Sequence, residues 1–353
     1  MSKFSTIKTS FNKGEWSRRL DARVDIAGYD QAAKYMNNFV GLVQGGLERR
    51  PGMKFVNEVH YEEDAFDNLY PSALIKMEVS DDVTFTILIS ETSGDTVFTF
   101  YKNGELVETS PGVPYELTDS SFKVNRKISY VQKGTSLFIA NESYPIFLLV
   151  YVDDTDWVIS RPEFLDGPYQ AKNTTDIEFT STGTGESTTL TSSEAFFVEE
   201  DEGRWIRMLS NTTGYLYSVG VIDTYTSATE VTVKWIEDDS LGFLYPQSGT
   251  ATAVWQLGVF SDTYNGLSTN VGSPVRVVDF FEERLVVAGG DIEPQQVDFS
   301  RTDDFLNFRP SNYTNEDVFA TNAVKANLLS NEQNRIRWMR GLDAGMAVGT
   351  SSS

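Results

Sequence analysis

Val131-Gln132-Lys133-Gly134-Thr135-Ser136-Leu137-Phe138-Ile139-Ala140 decides the reading of this chain. A mixed strand runs into a polar turn at Gly134 and returns as an apolar strand ending at a small residue. The pattern comes back as Phe280-Phe281-Glu282-Glu283-Arg284-Leu285-Val286-Val287-Ala288-Gly289, and Pro145 and Pro294 follow the two copies by a few residues. A weaker third copy is Ile336-Arg337-Trp338-Met339 followed by Gly345-Met346-Ala347-Val348-Gly349. Repeated strand, turn and buried-strand units are what the blades of a β-propeller require, each a four-stranded sheet of about 40 to 50 residues. The spacing is uneven: Ala140 to Ala288 is 148 positions, Ala288 to Val348 only 60. The longer gap predicts an inserted domain over 161–262, opened by a Pro- and Gly-containing linker and the Thr/Ser/Gly-rich run Thr180 to Thr191.

Outward from those repeats, strand signals dominate. Val83 to Ile89 and Thr96 to Tyr101 are rich in β-branched and aromatic residues, and the second run enters Lys102-Asn103-Gly104-Glu105. Asn-Gly between two such runs predicts a hairpin, because both central residues of a type I′ turn need positive φ. Further strands are expected at Ser136 to Ala140, Ile146 to Val152, Tyr215 to Val221, Glu230 to Ile236, Val275 to Phe281, Leu285 to Ala288 and Met346 to Thr350. The best helix candidate is 28–40, where Tyr29, Ala32, Ala33, Met36, Phe39 and Val40 recur at three-and-four spacing. The expected fold is therefore mainly β: a partial β-propeller with an inserted all-β domain and a short N-terminal helical segment. Its predicted divisions are an arm at 1–55, first blades at 56–160, the insert at 161–262 and second blades at 263–353.

Composition bounds the function. The chain has 353 residues, enough for two or three domains with their own cores. Lys+Arg 29 against Asp+Glu 51 gives a net charge of -22, the opposite of the basic footprint of a protein that grips phosphates. Cys is 0, so neither disulfides nor thiolate metal sites exist, which suits folding in a reducing cytoplasm. Met1-Ser2-Lys3-Phe4-Ser5 lacks the apolar core of a signal peptide. Ile146 to Val152, the longest aliphatic and aromatic run, is far short of the ~20 residues of a membrane helix.

The first fifty residues carry an ordered set of aromatic, Gly, Asn and Arg positions. They run Phe11-Asn12-Lys13-Gly14-Glu15-Trp16-Ser17, Leu20-Asp21-Ala22-Arg23-Val24-Asp25, Tyr29, Asn38, and Gln44-Gly45-Gly46-Leu47-Glu48-Arg49-Arg50-Pro51-Gly52. Later landmarks are Asp166-Gly167-Pro168-Tyr169, Phe196-Phe197, Gly203-Arg204-Trp205-Ile206-Arg207 and Trp255-Gln256-Leu257-Gly258-Val259-Phe260-Ser261. Arg284 to Gly289, Pro294-Gln295-Gln296, Phe299-Ser300-Arg301, Phe305 and Phe308 follow. In this order and spacing they resemble the tail nozzle proteins of short-tailed bacteriophages, also called tail tubular protein B or packaged-DNA stabilisation proteins. The resemblance covers nearly the whole chain. Arg18 stands where family members often carry Pro, and the sequence stops at Gly349-Thr350-Ser351-Ser352-Ser353 where relatives continue into more blades. The chain is accordingly expected to be part of a longer gene product or one half of a split one.

The resemblance implies a structural subunit of a homo-oligomeric, hexameric ring. It would sit in the virion tail beneath an adaptor protein, with tail fibre or spike proteins at its side, after synthesis in the host bacterial cytoplasm. DNA would pass through its channel without specific binding. Trp16, Arg23, Arg49 and Arg50 are the candidate assembly residues, since the arm is too small for an independent core.

Catalytic chemistry is poorly supplied. His60 is the one histidine, beside Tyr61 and Glu62-Glu63-Asp64; without Cys, a zinc site or a Ser-His-Asp triad rests on it alone, and no Gly-x-Ser-x-Gly elbow is present. Asp153-Asp154 with Asp156, Glu199-Glu200-Asp201-Glu202 and Glu237-Asp238-Asp239 offer carboxylates for Ca²⁺ or glycoside hydrolysis, though such runs are usually solvated turns. Gly45-Gly46 lacks the Gly-Lys-Ser/Thr ending of a phosphate loop, and Arg49 and Arg50 are expected in ion pairs. The sequence predicts no catalytic residue, metal or cofactor. The competing class is a host-surface carbohydrate binder or depolymerase of the tail, which acidic loops on a β-rich scaffold would serve.

Overall fold

The structure is a computed structural model that describes residues 8–56, 72–91, 96–107, 128–141, 145–209, 216–236, 245–261, 273–313, 316–329 and 334–351. It divides into two compact units, 1–57 and 58–353. The chain is mainly β, and its only helices among the described residues are three-residue 3-10 turns.

In the first unit, β1 (Phe39–Gly41) and β2 (Leu47–Arg49) form an antiparallel hairpin. The helix expected over 28–40 is not there. Gly28 takes φ 93, Tyr29–Gln31 makes one 3-10 turn, and Ala32 is already extended at φ -102 and ψ 149. From there the chain pairs as a strand, with Ala33 N donating to Gly14 O at 2.8 Å and Trp16 N to Ala33 O at 3.0 Å. An isolated helix of that length is marginal in water and needs a core face to bury. Ala32 is the one buried apolar side chain among the described residues of this unit, so no such face exists.

The second unit contains antiparallel sheets in chain order. β3 (Ser72–Ser80), β4 (Val83–Glu91), β5 (Thr96–Lys102) and β6 (Glu105–Leu106) make a four-stranded meander. A second is built from β7 (Ile128–Lys133), β8 (Ser136–Asn141), β9 (Phe147–Tyr151) and β10 (Trp157–Ser160). Seven strands then form one sheet: β11 (Phe179–Ser181), β12 (Ser187–Ser192), β13 (Trp205–Leu209), β14 (Tyr217–Ser227), β15 (Glu230–Trp235), β16 (Ala251–Thr252) and β17 (Trp255–Leu257). The chain resumes a meander with β18 (Val277–Phe281), β19 (Arg284–Ala288), β20 (Gln296–Phe299) and β21 (Val324–Asn327), and closes with the hairpin of β22 (Ile336–Leu342) and β23 (Gly345–Thr350).

The three sequence repeats are the opening hairpins β7–β8, β18–β19 and β22–β23. Asn103 and Gly104 turn β5 into β6 with φ 51 and 81, the two positive values that Asn-Gly allows. Glu282 and Glu283 hold the same kind of turn at φ 46 and 59.

These meanders and the last hairpin stack face on face. Ile75, Phe85, Ile87 and Phe100 of the first pack on Leu137, Ile139, Phe147 and Trp157 of the second. The second sheet's other face, through Phe138 and Ala140, meets Val278, Leu285 and Val287 of the third. The third's far face, Val277, Val286 and Val297, receives Ile336 and Met339 of the last hairpin. Burial on both faces explains why β8 and β19 read as apolar runs without alternation.

Neighbouring sheets approach through their first strands, and one polar side chain stitches each pair. Gln132 of β7 accepts from Glu78 N at 2.9 Å and donates to Glu78 O on β3 at 2.5 Å. Ser129 of β7 accepts from Val278 N at 3.1 Å and donates to Val278 O on β18 at 3.2 Å. Asp279 of β18 accepts from Gly341 N on β22 at 2.8 Å.

The seven-stranded sheet runs in the order β16-β11-β12-β15-β14-β13-β17. Its edge strands β16 and β17 are two residues apart in sequence, so the sheet curls until its edges nearly meet, like a barrel. Inside lie Phe179, Leu190, Ile206, Val231, Val233 and Trp235. Period-two burial on β12 and β15 places them there.

Candidate assembly site

The later sequence landmarks converge where the seven-stranded sheet joins the rest of its unit. Asp166 is fully buried, and its carboxylate accepts from Tyr169 Oη at 2.6 Å and from Tyr313 Oη. Those two hydrogen bonds hold Asp166 at φ 56, ahead of Gly167 at φ 108. Tyr169 bridges Gly258, while Val259 N donates to Pro168 O at 2.9 Å. Arg204 forms a buried ion pair with Asp201 and donates to Gly258 O at 2.8 Å and to Gln170 Oε1 at 2.7 Å. Gln296 of β20 donates to Tyr169 O at 3.0 Å, and Leu165 exchanges backbone hydrogen bonds with Leu306 and Phe308. Gly258 is required by proximity: a Cβ there would lie 2.9 Å from the Trp205 nitrogen.

The electrostatics of this junction are those of a structural core. Burial, with the Asp166 charge and hydrogen bond behind it, drives the Tyr169 and Tyr313 phenols far above their ordinary range. They stay neutral donors, able neither to act as bases nor to release a proton near neutral pH. The Arg207 guanidinium is buried between the Tyr217 and Tyr313 rings, 4.5 and 5.2 Å from their centroids, and donates to Ser311 Oγ at 2.8 Å. Beside the junction a small cavity of about 50 Å³ is lined by Tyr169, Gln256, Asp298, Phe308 and Lys325. Asp298 is the perturbed acid there: burial pushes its carboxyl up to about 8.

The acidic runs resolve into turns. Asp153 accepts from Thr155 N and Oγ1, and Asp154 pairs with Lys102 and accepts from Tyr151 Oη. Asp201 accepts from Val198 N besides pairing with Arg204, and Glu202 accepts from Tyr225 N at 2.7 Å. Among the described residues no three His, Asp or Glu side chains gather as metal ligands, and no helix is long and apolar enough to cross a membrane. His60 with its acidic neighbours, and Glu237-Asp238-Asp239, lie outside the described residues.

The four assembly candidates all fall in the first unit without forming one cluster. Trp16 is half-buried, its ring edge-on to Tyr29 at 6.3 Å and its indole nitrogen donating to Lys13 O at 3.1 Å. With Leu20, Tyr29, Ala32 and Ala33 it lines a cavity of about 320 Å³. Arg23 makes a bidentate pair with Asp25, at 2.8 and 2.7 Å, entirely at the surface. Arg49 ends β2 and Arg50 follows it; both are exposed, and neither has an ion-pair partner among the described residues. The unit also exposes Val24, Tyr35, Val43, Met53 and Phe55, each more than 70% accessible.

Sequence reasoning did not single out Ser129, Asp279 or Asp298 and named Gln132 and Gln296 only within longer runs, although polar residues inside apolar strands are the signal that marks such contacts. No protein-family model matches the chain, and no curated protein does either.

Proposed function

We propose that this chain is a structural subunit of a phage tail nozzle ring, with the stacked sheets as blades of an incomplete β-propeller and the seven-stranded sheet as a domain inserted between blades. The observation that carries the fold reading is the fan of meanders. They follow one another in chain order, meet most closely at their first strands, and bury both faces, as propeller blades do around an axis. The functional reading rests on the ordered landmarks, of which Asp166 to Tyr169, Arg204, Gly258, Gln296 and Phe308 lie together at one junction. Such a subunit works by shape and assembly in the virion tail, with an adaptor protein and fibres or spikes as partners, and lets DNA pass without gripping it. The net charge of -22 supports this, because an acidic wall repels phosphates.

The engagement of the Asp153, Asp154, Asp201 and Glu202 carboxylates supports the structural role over a depolymerase. The test is imaging the assembled full-length chain by electron cryo-microscopy. A sixfold ring with an axial channel is the expected result; a trimer with a groove of facing carboxylates would refute it and favour polysaccharide cleavage.

A further inference from the structure

The charge of this chain is segregated. Residues 1–57 carry ten Lys and Arg against five Asp and Glu, while 58–353 carry nineteen against forty-six. Bodies with so large a negative excess repel one another, so close packing of two copies needs a countercharge between them. The first unit is the basic part of the chain, and it also displays the apolar side chains that a protein interface desolvates.

Its cavity of about 320 Å³ is lined by the apolar Trp16, Leu20 and Tyr29 and by Lys8, Lys34 and Asp21. Arg18 and Arg19 stand exposed on the 3-10 turn that supplies Leu20. A space of this size admits an aromatic side chain.

The second unit offers a matching projection. Val318 and Phe319 are 73% and 55% exposed. Arg284 straps their loop to the acidic Glu282–Glu283 turn by donating to Ala320 O and Asn322 O, both at 2.6 Å. Asp303 joins the collar through its backbone hydrogen bond to Glu283 O at 3.0 Å. The body thus presents an apolar loop tied to a carboxylate-bearing turn, and the arm a partly apolar cavity with Lys8, Lys34 and Asp21 in its lining, Lys34 pairing with Asp21 at 3.0 Å, and with Arg18 and Arg19 exposed on the adjoining turn.

We propose that copies of this chain associate head to tail, the Trp16 socket of one receiving the Val318–Phe319 loop of the next, with Arg18 and Arg19 against Glu282 and Glu283. The contact is heterologous, the type that closes into a ring when its rotation permits. Exposed Val, Phe and Tyr favour a protein surface over nucleic acid as the arm's occupant. The inference rests on the reading of the chain as a ring subunit and names the surfaces that make the ring.

The experiment uses two full-length charge-reversed variants, Arg18→Glu/Arg19→Glu and Glu282→Lys/Glu283→Lys, with mass photometry and sedimentation at several salt concentrations. The wild type is expected to assemble and to loosen as salt rises. Each variant alone should weaken assembly about tenfold or more, whereas an equal mixture of the two should restore it, since every socket then finds a complementary loop on the other species. Phe319→Ser should weaken assembly with its charges intact. A wild type that stays monomeric, variants that assemble normally, or a mixture no better than its components would each overturn the proposal. A monomer that binds duplex DNA with steep salt dependence would overturn it in favour of a nucleic-acid arm. If particles carry a sixfold ring that the variants leave intact, the docking fails while the nozzle reading stands. If the purified chain closes head to tail but is missing from the tail, the reverse holds.

Discussion

Replacing Asp298 with Asn tests the junction through its one strongly perturbed acid. Asp298 is 2% exposed on β20; Oδ1 accepts from Gln296 Nε2 at 2.7 Å, and Oδ2 has no hydrogen-bond partner among the described residues. Burial raises its pKa from 3.8 to about 8, outweighing the Gln296 hydrogen bond and the charge of its cross-strand neighbour Lys325, which both pull down. The folded protein therefore holds the neutral acid at pH 7, while the unfolded chain holds the carboxylate. A raised folded pKa means that this group's stabilisation is complete below about pH 4 and is lost as the pH climbs to about 8. The slope is about 1.4 kcal/mol per pH unit, for a total on the order of 5 kcal/mol. Asn keeps the acceptor for Gln296 and puts a neutral NH₂ where the protonated oxygen stood, so Asp298→Asn removes that slope. Urea unfolding of both proteins, followed by tryptophan fluorescence at pH 5 and pH 9, isolates the difference from every other titrating group. The variant should match or fall slightly below the wild type at pH 5 and exceed it by several kcal/mol at pH 9. A difference that stays flat, or that turns against the variant as pH rises, would refute a neutral buried Asp298.

Three further substitutions probe the sheets and their seams. Trp157 is 1% exposed, stacked on Phe100 with centroids 4.4 Å apart and edge-on to Phe85 at 5.0 Å, so Trp157→Ala should cost about 3 to 5 kcal/mol, read as a lower urea midpoint. Gly258→Ala puts a Cβ 2.9 Å from the Trp205 nitrogen, and the backbone shift should cost about 1 to 3 kcal/mol; an unchanged melting temperature would show the junction to be looser than described. Ser129→Ala leaves Val278 N and O without their side-chain partner and should cost about 1 to 2 kcal/mol, with amide hydrogen exchange quickening at Val278 ahead of the rest of β18.

The β character was legible because its signals are local. The Asn103-Gly104 turn, the alternating burial of β15 and the apolar runs of β8 and β19 depend on neighbours a few residues away, and each formed where the pattern put it. The 28–40 segment misled because three-and-four spacing states only that a helix there would be amphipathic. Whether it forms depends on a surface to cover its apolar face, and among the described residues of the arm Ala32 is the one buried apolar side chain. The near-closure of the seven-stranded sheet was illegible for the opposite reason: it follows from β16 and β17 pairing at opposite edges, a fact about register that no window of sequence contains.

The stitches between sheets were invisible for the same cause. Gln132 meets Glu78 54 positions away and Ser129 meets Val278 149 positions away, so each reads in sequence as an unremarkable polar residue in a strand. Net charge has the reverse property. It is plain from composition, yet -22 spread evenly and -22 divided between a basic arm and an acidic body imply different molecules. An evenly acidic chain would shun copies of itself and nucleic acid alike. Once the division at 57 is drawn, the negative excess belongs to the body and the arm carries a positive one, on which the proposed contact between copies draws. On the proposed ring reading, a body of this charge repels phosphates and the arm supplies the cohesion. Those two properties together are what the proposed conduit for DNA would require.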